Sequence, residues 1–184
     1  MSKVKMPLAE ARKIAAELLD IFEPHCHRVA VAGSVRRCKP EVGDIEIVAI
    51  PKTIFTPNLF GEMLPDGYET ELAVAKLIEQ GAVVNRGADK YKSISLPQGI
   101  NLDLFLVLPP AQWGVIFMIR TGSGDYSKHM VTHKNKGGAL PSIYRVQNGA
   151  VWHGDKMIPM DDEQDFYRIC QIDYIEPEKR GWQI

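Results

Sequence analysis

Cysteine is scarce in this sequence, and the three cysteines present, Cys26, Cys38 and Cys170, are widely separated. Their spacing does not match a zinc-binding motif. Because their number is odd and the chain is not short, a disulfide framework is not expected either. A hydrophobic content of 45% is ordinary for a globular protein. We therefore expect a fold that is stabilised by a packed core.

Long apolar runs are also missing. No stretch reaches the roughly eighteen apolar residues that a transmembrane helix needs. The apolar residues near the N-terminus alternate with charged ones, unlike those of a signal peptide. We therefore expect a soluble, cytoplasmic and monomeric protein, of bacterial or viral origin, that does not contact a membrane.

A dominant charge of one sign is missing as well. The 22 Lys and Arg residues are balanced by 23 Asp and Glu residues, for a net charge of −1. Such a balance is not typical of a nucleic-acid-binding protein. Any contact with nucleic acid must then come from local patches, and we expect it to be weak and salt-sensitive. A chain of 184 residues holds one domain or two small lobes.

The most informative stretch lies between two apolar runs, at residues 29–32 and 45–50. Asp44 and Glu46 are two positions apart, so a strand places both carboxylates on one face while the intervening apolar residues face a core. Two carboxylates this close repel each other unless a cation lies between them. Ligand sets made only of oxygen atoms suit Mg²⁺ or Mn²⁺. The alternative is an ordinary hairpin with two solvated acids on its outer face.

The residues between the two runs suit a phosphate group. Gly33 and Ser34 offer backbone N–H groups and a hydroxyl, and Arg37 offers a planar fork of donors. A phosphate-binding turn next to a divalent cation is what a nucleotide-transferring site needs.

Gly33-Ser34, the double arginine Arg36-Arg37 and Gly43-Asp44-Ile45-Glu46 resemble the signature of the nucleotidyltransferase superfamily. The double arginine and its spacing resemble the family X DNA polymerases, the polymerase beta-like enzymes. The resemblance runs from about Lys5 to Arg180. It implies an α+β fold, with a nucleotidyltransferase-type palm (a mixed sheet with helices) over residues 1–110 and a small α+β thumb over residues 111–184.

A third acid stands alone in an apolar strand predicted from Asn101 to Leu108. Asp103 must be paired or metal-bound if it is buried there, because burying a bare charge is costly. The alternative is an acid on an exposed strand face. The resemblance implies that two Mg²⁺ ions, which Mn²⁺ can replace, are held by Asp44, Glu46 and Asp103, and that Asp103 accepts the proton of the primer 3′-hydroxyl.

The resemblance also implies contacts with a nucleoside triphosphate. Thr121-Gly122-Ser123 resembles the palm–thumb hinge, Tyr126 falls where the family stacks an aromatic ring on the incoming base, and Ser127 falls where a side chain bonds the minor-groove edge of the base. Lys5 matches loosely a basic residue that reaches the triphosphate, and a solvated lysine is the alternative. The nucleotide contacts implied are Lys5, Gly33, Ser34, Arg37, Gly43, Thr121, Gly122, Ser123, Tyr126 and Ser127.

Two basic groups are candidates for contacts with primer–template or gapped DNA. Lys90 and Lys92 are two positions apart in a predicted strand, so their side chains share one face. They either border the primer or protect a solvated sheet edge from aggregation. The predicted helix at residues 125–136 is the most cationic stretch and either contacts phosphates or is simply solvated. Its candidate DNA contacts are Lys128, His129, His133, Lys134 and Lys136.

Periodicity and turn residues predict the remaining elements. The predicted helices cover residues 7–22, 69–80 and 111–119, with a last helix that is capped by Asp161 and Gln164 and ends at Cys170. The predicted strands cover residues 82–84, 90–96, 142–146 and 150–152, and residues 51–67 are predicted to be a loop.

Three departures from the family pattern limit what the resemblance implies. Glu46 replaces an aspartate and is one methylene longer. Ile119-Arg120 replace an aromatic pair that is linked to rejecting ribonucleotides, which leaves the sugar preference open. We also expect no lyase domain and no DNA-clamping domain in a chain of this length. Two alternatives to a gap-filling repair polymerase remain: a template-independent, RNA or small-molecule nucleotidyltransferase, and a non-catalytic nucleic-acid-binding module.

Overall fold

The computed structural model describes residues 5–181. The strands are β1 (Met6–Pro7), β2 (Cys26–Val31), β3 (Glu41–Val42), β4 (Asp44–Pro51), β5 (Thr53–Pro57), β6 (Met63–Tyr68), β7 (Val83–Ala88), β8 (Tyr91–Ser95), β9 (Asn101–Leu106), β10 (Tyr144–Gln147), β11 (Ala150–His153) and β12 (Lys156–Ile158). The helices are α1 (Leu8–Phe22), α2 (Gly33–Arg36), α3 (Thr70–Glu79), α4 (Trp113–Thr121), α5 (Gly124–Val131) and α6 (Glu163–Cys170).

The main sheet has five strands in the order β2-β4-β9-β8-β7. Strands β4 and β9 are parallel, and the other pairs are antiparallel. Along β4 and β9 the alternation of side chains sends Ile45, Ile47, Leu102 and Leu104 to one face, where all four are fully buried. Helices α1 and α3 supply a large part of the rest of this core, because their apolar residues recur at helical spacing.

The opposite face of the same sheet carries the acids and, beside them, a smaller apolar cluster. Val48 and Phe105 belong to this cluster and pack with Trp113 and Phe117 of α4. Helix α4 therefore lies over the face that contains the acids. This packing places the end of α4, at Thr121, close to α2.

The C-terminal part has its own core, formed by helices α4, α5 and α6 and by the antiparallel sheet β10-β11-β12. The larger core ends in sequence at Leu108 and this one begins at Val115. The prediction of an α+β fold with a mixed sheet and helices is confirmed. No helix within residues 5–181 is long and apolar enough to cross a membrane.

Residues 51–67, predicted to be a loop, contain the hairpin β5–β6. The prediction was wrong because the strands lack apolar alternation and include prolines. The turn between them is closed by a side chain: Asn58 Oδ1 accepts hydrogen bonds from the N–H groups of Phe60 and Glu62.

The helix predicted at residues 125–136 ends earlier, at Val131. Thr132 is extended, with ψ of 139°, and its hydroxyl donates to Lys128 O at 2.6 Å. A separate short 3₁₀ turn, Lys134–Lys136, follows. The last helix is capped by Asp162 and Asp165 instead of Asp161 and Gln164, and β12 was not predicted.

Candidate active site

The parallel pairing of β4 with β9 brings the three predicted acids together. Glu46 lies directly opposite Asp103, and Asp44 lies opposite Asn101. Residues opposite each other in adjacent strands send their side chains to the same face. The three carboxylates therefore share one face, and each of the three residues is half-buried.

Gly33 begins α2 directly above Glu46. Its φ is +60°, and a Cβ atom at this position would lie 1.8 Å from Glu46 Oε2. Only glycine avoids this collision and adopts the left-handed conformation without strain. The glycine of the Gly33-Ser34 pair is thus required for the close approach of α2 to the acids.

The acids lie close enough for the charge of one to affect the ionisation of another. Burial and the neighbouring Asp44 raise the pKa of Glu46 to about 7, although Arg120 and Arg37 act in the opposite direction. A divalent cation would relieve this repulsion, and carboxylate oxygens are the ligands that Mg²⁺ and Mn²⁺ prefer. Within residues 5–181, no group of three or more His, Cys, Asp or Glu side chains is already arranged as a metal site. The donor set fits the ion.

Arg37 and two serines of the candidate phosphate-binding group have buried polar atoms that lack a hydrogen-bond partner within the described residues. They are Ser34 Oγ, Arg37 Nε and Ser123 Oγ. Arg37 also donates to the carbonyl of Thr121, and a Cβ atom on Gly122 would lie 2.7 Å from Arg37 Nη1. Leaving buried donors unpaired is costly. This group of donors therefore suits a ligand rich in acceptor oxygens, such as a phosphate.

Arg36, the other arginine of the pair, has a structural role that the sequence pattern does not indicate. Its guanidinium donates to Thr121 Oγ1 at 2.5 Å and to both carboxylate oxygens of Glu163. Glu163 also accepts hydrogen bonds from Arg180 Nη1, at 3.0 Å, and from the Tyr174 hydroxyl. We call these residues the Glu163 cluster; it connects α2 to α6.

Tyr126 and Ser127, two of the candidate nucleotide contacts, are buried in the C-terminal part. Tyr126 is 3% exposed, and its hydroxyl donates to the Tyr167 hydroxyl at 2.8 Å. Ser127 Oγ donates to Ile119 O at 2.7 Å. The reason is the orientation of α5, which turns Tyr126, Ser127 and Met130 toward the C-terminal core. Both side chains thus already have hydrogen-bond partners within the protein, and their contacts with a nucleotide stay a prediction.

Lys5 and Gly43 complete the candidate nucleotide contacts. Lys5 forms an exposed ion pair with Glu41 at 3.0 Å, which agrees with the solvated alternative. Gly43 directly precedes β4 and is half-buried.

Three of the candidate DNA contacts bond to other residues of the protein, although Lys134 is exposed. Lys92 points to the face covered by α3, opposite the acids, and its Nζ atom lies 2.8 Å from Glu71 Oε1. His133 Nε2 bonds Tyr144 O at 2.8 Å, and Lys134 Nζ donates to Cys170 O at 3.1 Å. These contacts could not be read from the sequence, because each joins segments that are distant along the chain or lie in different elements.

The other candidate DNA contacts remain accessible. Lys90 is exposed at the end of the β7–β8 hairpin. Lys128, His129 and Lys136 line an open cleft of about 390 Å³ in the C-terminal part. Asp125 also lines this cleft, so the net charge of the cleft is only moderately positive.

No family model matches the chain, and comparison with curated proteins gives a distant similarity. The chain is 24% identical to DNA polymerase lambda of Rattus norvegicus over 194 aligned residues, which cover 97% of this chain and 33% of that protein. The chain thus spans about a third of the length of this curated relative.

Proposed function

We propose that the chain is a metal-dependent nucleotidyltransferase of the family X DNA polymerase type, which transfers nucleotides from dNTPs to a primer 3′-hydroxyl in short gaps. The observation that carries the proposal is the position of Asp103, directly opposite Glu46 and on the face that also bears Asp44. The distant similarity to DNA polymerase lambda supports the same class of reaction. In this proposal residues 1–110 are the palm and residues 111–184 are the thumb.

The residues of the site divide into two groups. Asp44, Glu46 and Asp103 would hold two Mg²⁺ ions, or Mn²⁺ in their place, which lower the pKa of the primer hydroxyl and neutralise charge on the phosphates when bound. Ser34 and Arg37 would bind and orient the triphosphate with the donors that have no partner within residues 5–181. Asp103 would accept the proton of the 3′-hydroxyl as the new phosphodiester forms and pyrophosphate leaves.

A primer-extension assay tests this proposal. The chain is incubated with a one-nucleotide gapped DNA, labelled dNTPs and Mg²⁺, and the same reaction is run without a template strand and with an RNA primer. We expect extension on the gapped DNA that depends on Mg²⁺. Equal extension without a template would instead favour a template-independent transferase, and no extension on any substrate would favour a non-catalytic binding module.

This chain should accept ribonucleotides more readily than do family members that carry an aromatic pair at the positions of Ile119 and Arg120. Arg120 is exposed, and its guanidinium lies 3.8 Å from the centre of the Phe105 ring, so no aromatic wall stands at residues 119 and 120. In the double variant Ile119→Tyr/Arg120→Phe, we expect the preference for dNTPs over NTPs to rise at least about tenfold, or about 1.4 kcal/mol. The measurement is kcat/KM for both sugars. An unchanged ratio would mean that these positions do not select the sugar.

DNA affinity should depend on the accessible cations of the C-terminal cleft. Each phosphate that is neutralised releases counterions, so the salt dependence of binding counts contacts, here on the order of three to five. Replacing Lys128 and Lys136 by Ala should lower this number by about two and weaken binding to all sequences alike. The control is Lys13→Ala/Lys76→Ala, which removes the same charge from helices α1 and α3, where both lysines are exposed.

The test is a titration of gapped DNA at several salt concentrations. A slope that stays unchanged in the Lys128/Lys136 variant, or that changes equally in the control, would place the DNA elsewhere. With so few contacts we also expect distributive synthesis, in which one or a few nucleotides are added at each encounter.

A further inference from the structure

Asp103 has a hydrogen-bond donor within the sheet. The hydroxyl of Tyr91, on the neighbouring strand β8, donates to Asp103 Oδ1 at 2.9 Å. The register of β8 and β9 sets Ser93 opposite Asp103 and Tyr91 opposite Phe105, so Tyr91 is the diagonal neighbour of the acid on the same face. The tyrosine and the acid are therefore adjacent because of strand pairing, although they are twelve positions apart in sequence.

The ring of Tyr91 is itself held in place. It stacks on Phe105 with 5.0 Å between ring centres and 25° between ring planes. Phe105 also contacts the guanidinium of Arg120, which lies 3.8 Å from the ring centre. Arg120 belongs to α4, directly before Thr121. The three side chains form a stack, Arg120–Phe105–Tyr91, that ends at the carboxylate of Asp103.

A carboxylate can accept several hydrogen bonds, so the bond to Oδ1 leaves the second oxygen of Asp103 for another ligand. Carboxylates that bind metals are commonly oriented by such hydrogen bonds, and removing the donor typically lowers metal affinity or activity ten- to a hundredfold. The bond also holds the acid in one orientation beside Glu46, against the repulsion between the two negative charges.

We propose that Tyr91 is a positioning residue for Asp103, which fixes one carboxylate oxygen and leaves the other for a divalent cation. The stack on Phe105 and Arg120 keeps the tyrosine ring in the position that this hydrogen bond needs. The proposal rests on the proposed function only in taking Asp103 as a ligand of that cation. It assigns a role to Tyr91 and Phe105, neither of which belongs to the signature that pointed to the site.

The experiment measures Mn²⁺ binding to the full chain without DNA or nucleotide, from the electron paramagnetic resonance signal of free Mn²⁺. Tyr91→Phe removes the hydroxyl and keeps the ring, and Phe105→Leu removes the stack and keeps the hydroxyl. Tyr144→Phe is the matched control, since Tyr144 lies in the C-terminal part and its ring contacts His153. The melting temperature of each metal-free variant is recorded to separate loss of fold from loss of binding.

We expect the Kd for Mn²⁺ to rise roughly ten- to a hundredfold in Tyr91→Phe, to rise in Phe105→Leu as well, and to stay within about twofold in Tyr144→Phe. In primer extension, the Mn²⁺ concentration for half-maximal rate should rise in Tyr91→Phe, and excess Mn²⁺ should restore most of kcat. A purely structural role would lower the melting temperature without this metal-dependent rescue.

Two results would overturn the proposal in different ways. An unchanged or tighter Kd in Tyr91→Phe, together with weakened binding in Asp103→Ala, would reject the role of Tyr91 and leave the proposed function standing. A Kd that is unchanged even in Asp103→Ala would show that Asp103 is not a ligand, and both proposals would fail.

Discussion

Replacing Asp103 by Ala should abolish nucleotide addition while the protein stays folded. Asp103 is the only acid in β9, it lies opposite Glu46, and it faces away from the core that α1 and α3 cover. The substitution removes a proposed cation ligand and the proposed proton acceptor in one step. We expect a loss of at least a thousandfold in rate, or about 4 kcal/mol of barrier.

Asp103→Asn is the matched control for this prediction. It keeps the shape of the side chain and an oxygen that can accept the hydrogen bond from Tyr91, but it removes the negative charge. We expect it to be nearly as inactive as Asp103→Ala, with a melting temperature close to that of the wild type. A rate above about a tenth of wild type in either variant, less than roughly 1.4 kcal/mol of barrier, would remove Asp103 from the catalytic residues.

Replacing Glu163 by Ala should be the most destabilising single substitution at the junction of α2 and α6. Glu163 and Arg180 are 1% and 0% exposed, so the variant leaves Arg180 with an uncompensated buried charge. Breaking a buried ion pair in this way costs roughly 3–5 kcal/mol. The measurement is urea unfolding of the wild type and the variant at neutral pH. The control is Gln164→Ala, the adjacent exposed position of α6, for which we expect less than about 0.5 kcal/mol.

The Glu163 cluster also predicts a specific acid sensitivity. Burial alone would raise the pKa of Glu163, but hydrogen bonds from Arg36, Arg180 and Tyr174 outweigh it and lower the pKa from 4.5 to about 2. Because the pKa of the folded state is the lower one, this stabilisation is complete above pH 4.5 and is lost as the pH falls toward 2. A shift of this size corresponds to about 3 kcal/mol.

Glu163→Gln tests the pH dependence directly, because it removes the titrating group and keeps its shape. The wild type should lose more free energy of unfolding between pH 5 and pH 3 than this variant does. Equal slopes for the two proteins would show that the carboxylate of Glu163 does not hold the junction together.

Local patterns in the sequence were enough to locate the acids and their neighbours. Asp44 and Glu46 alternate with apolar residues, and a strand has only two faces, so the alternation alone put both carboxylates on one side. Gly33 was predicted from its motif, and the structure adds the reason, since a Cβ atom there would collide with Glu46. Helix α1 was also predicted to within one residue at its start, because its apolar spacing is regular.

Only the tertiary structure decided which distant side chains meet. The hydrogen bond between Tyr91 and Asp103 depends on strand register, and the Glu163 cluster joins Arg36 to a residue 127 positions away. Tyr126 shows the same limit: its position in the sequence resembles that of a base-stacking residue, but the burial of its ring in the C-terminal core was not visible from the sequence. Periodicity along the sequence determines which residues share one face of a helix or strand. Which other element packs against that face depends on how whole helices and strands pack together, and a local sequence pattern does not contain this information.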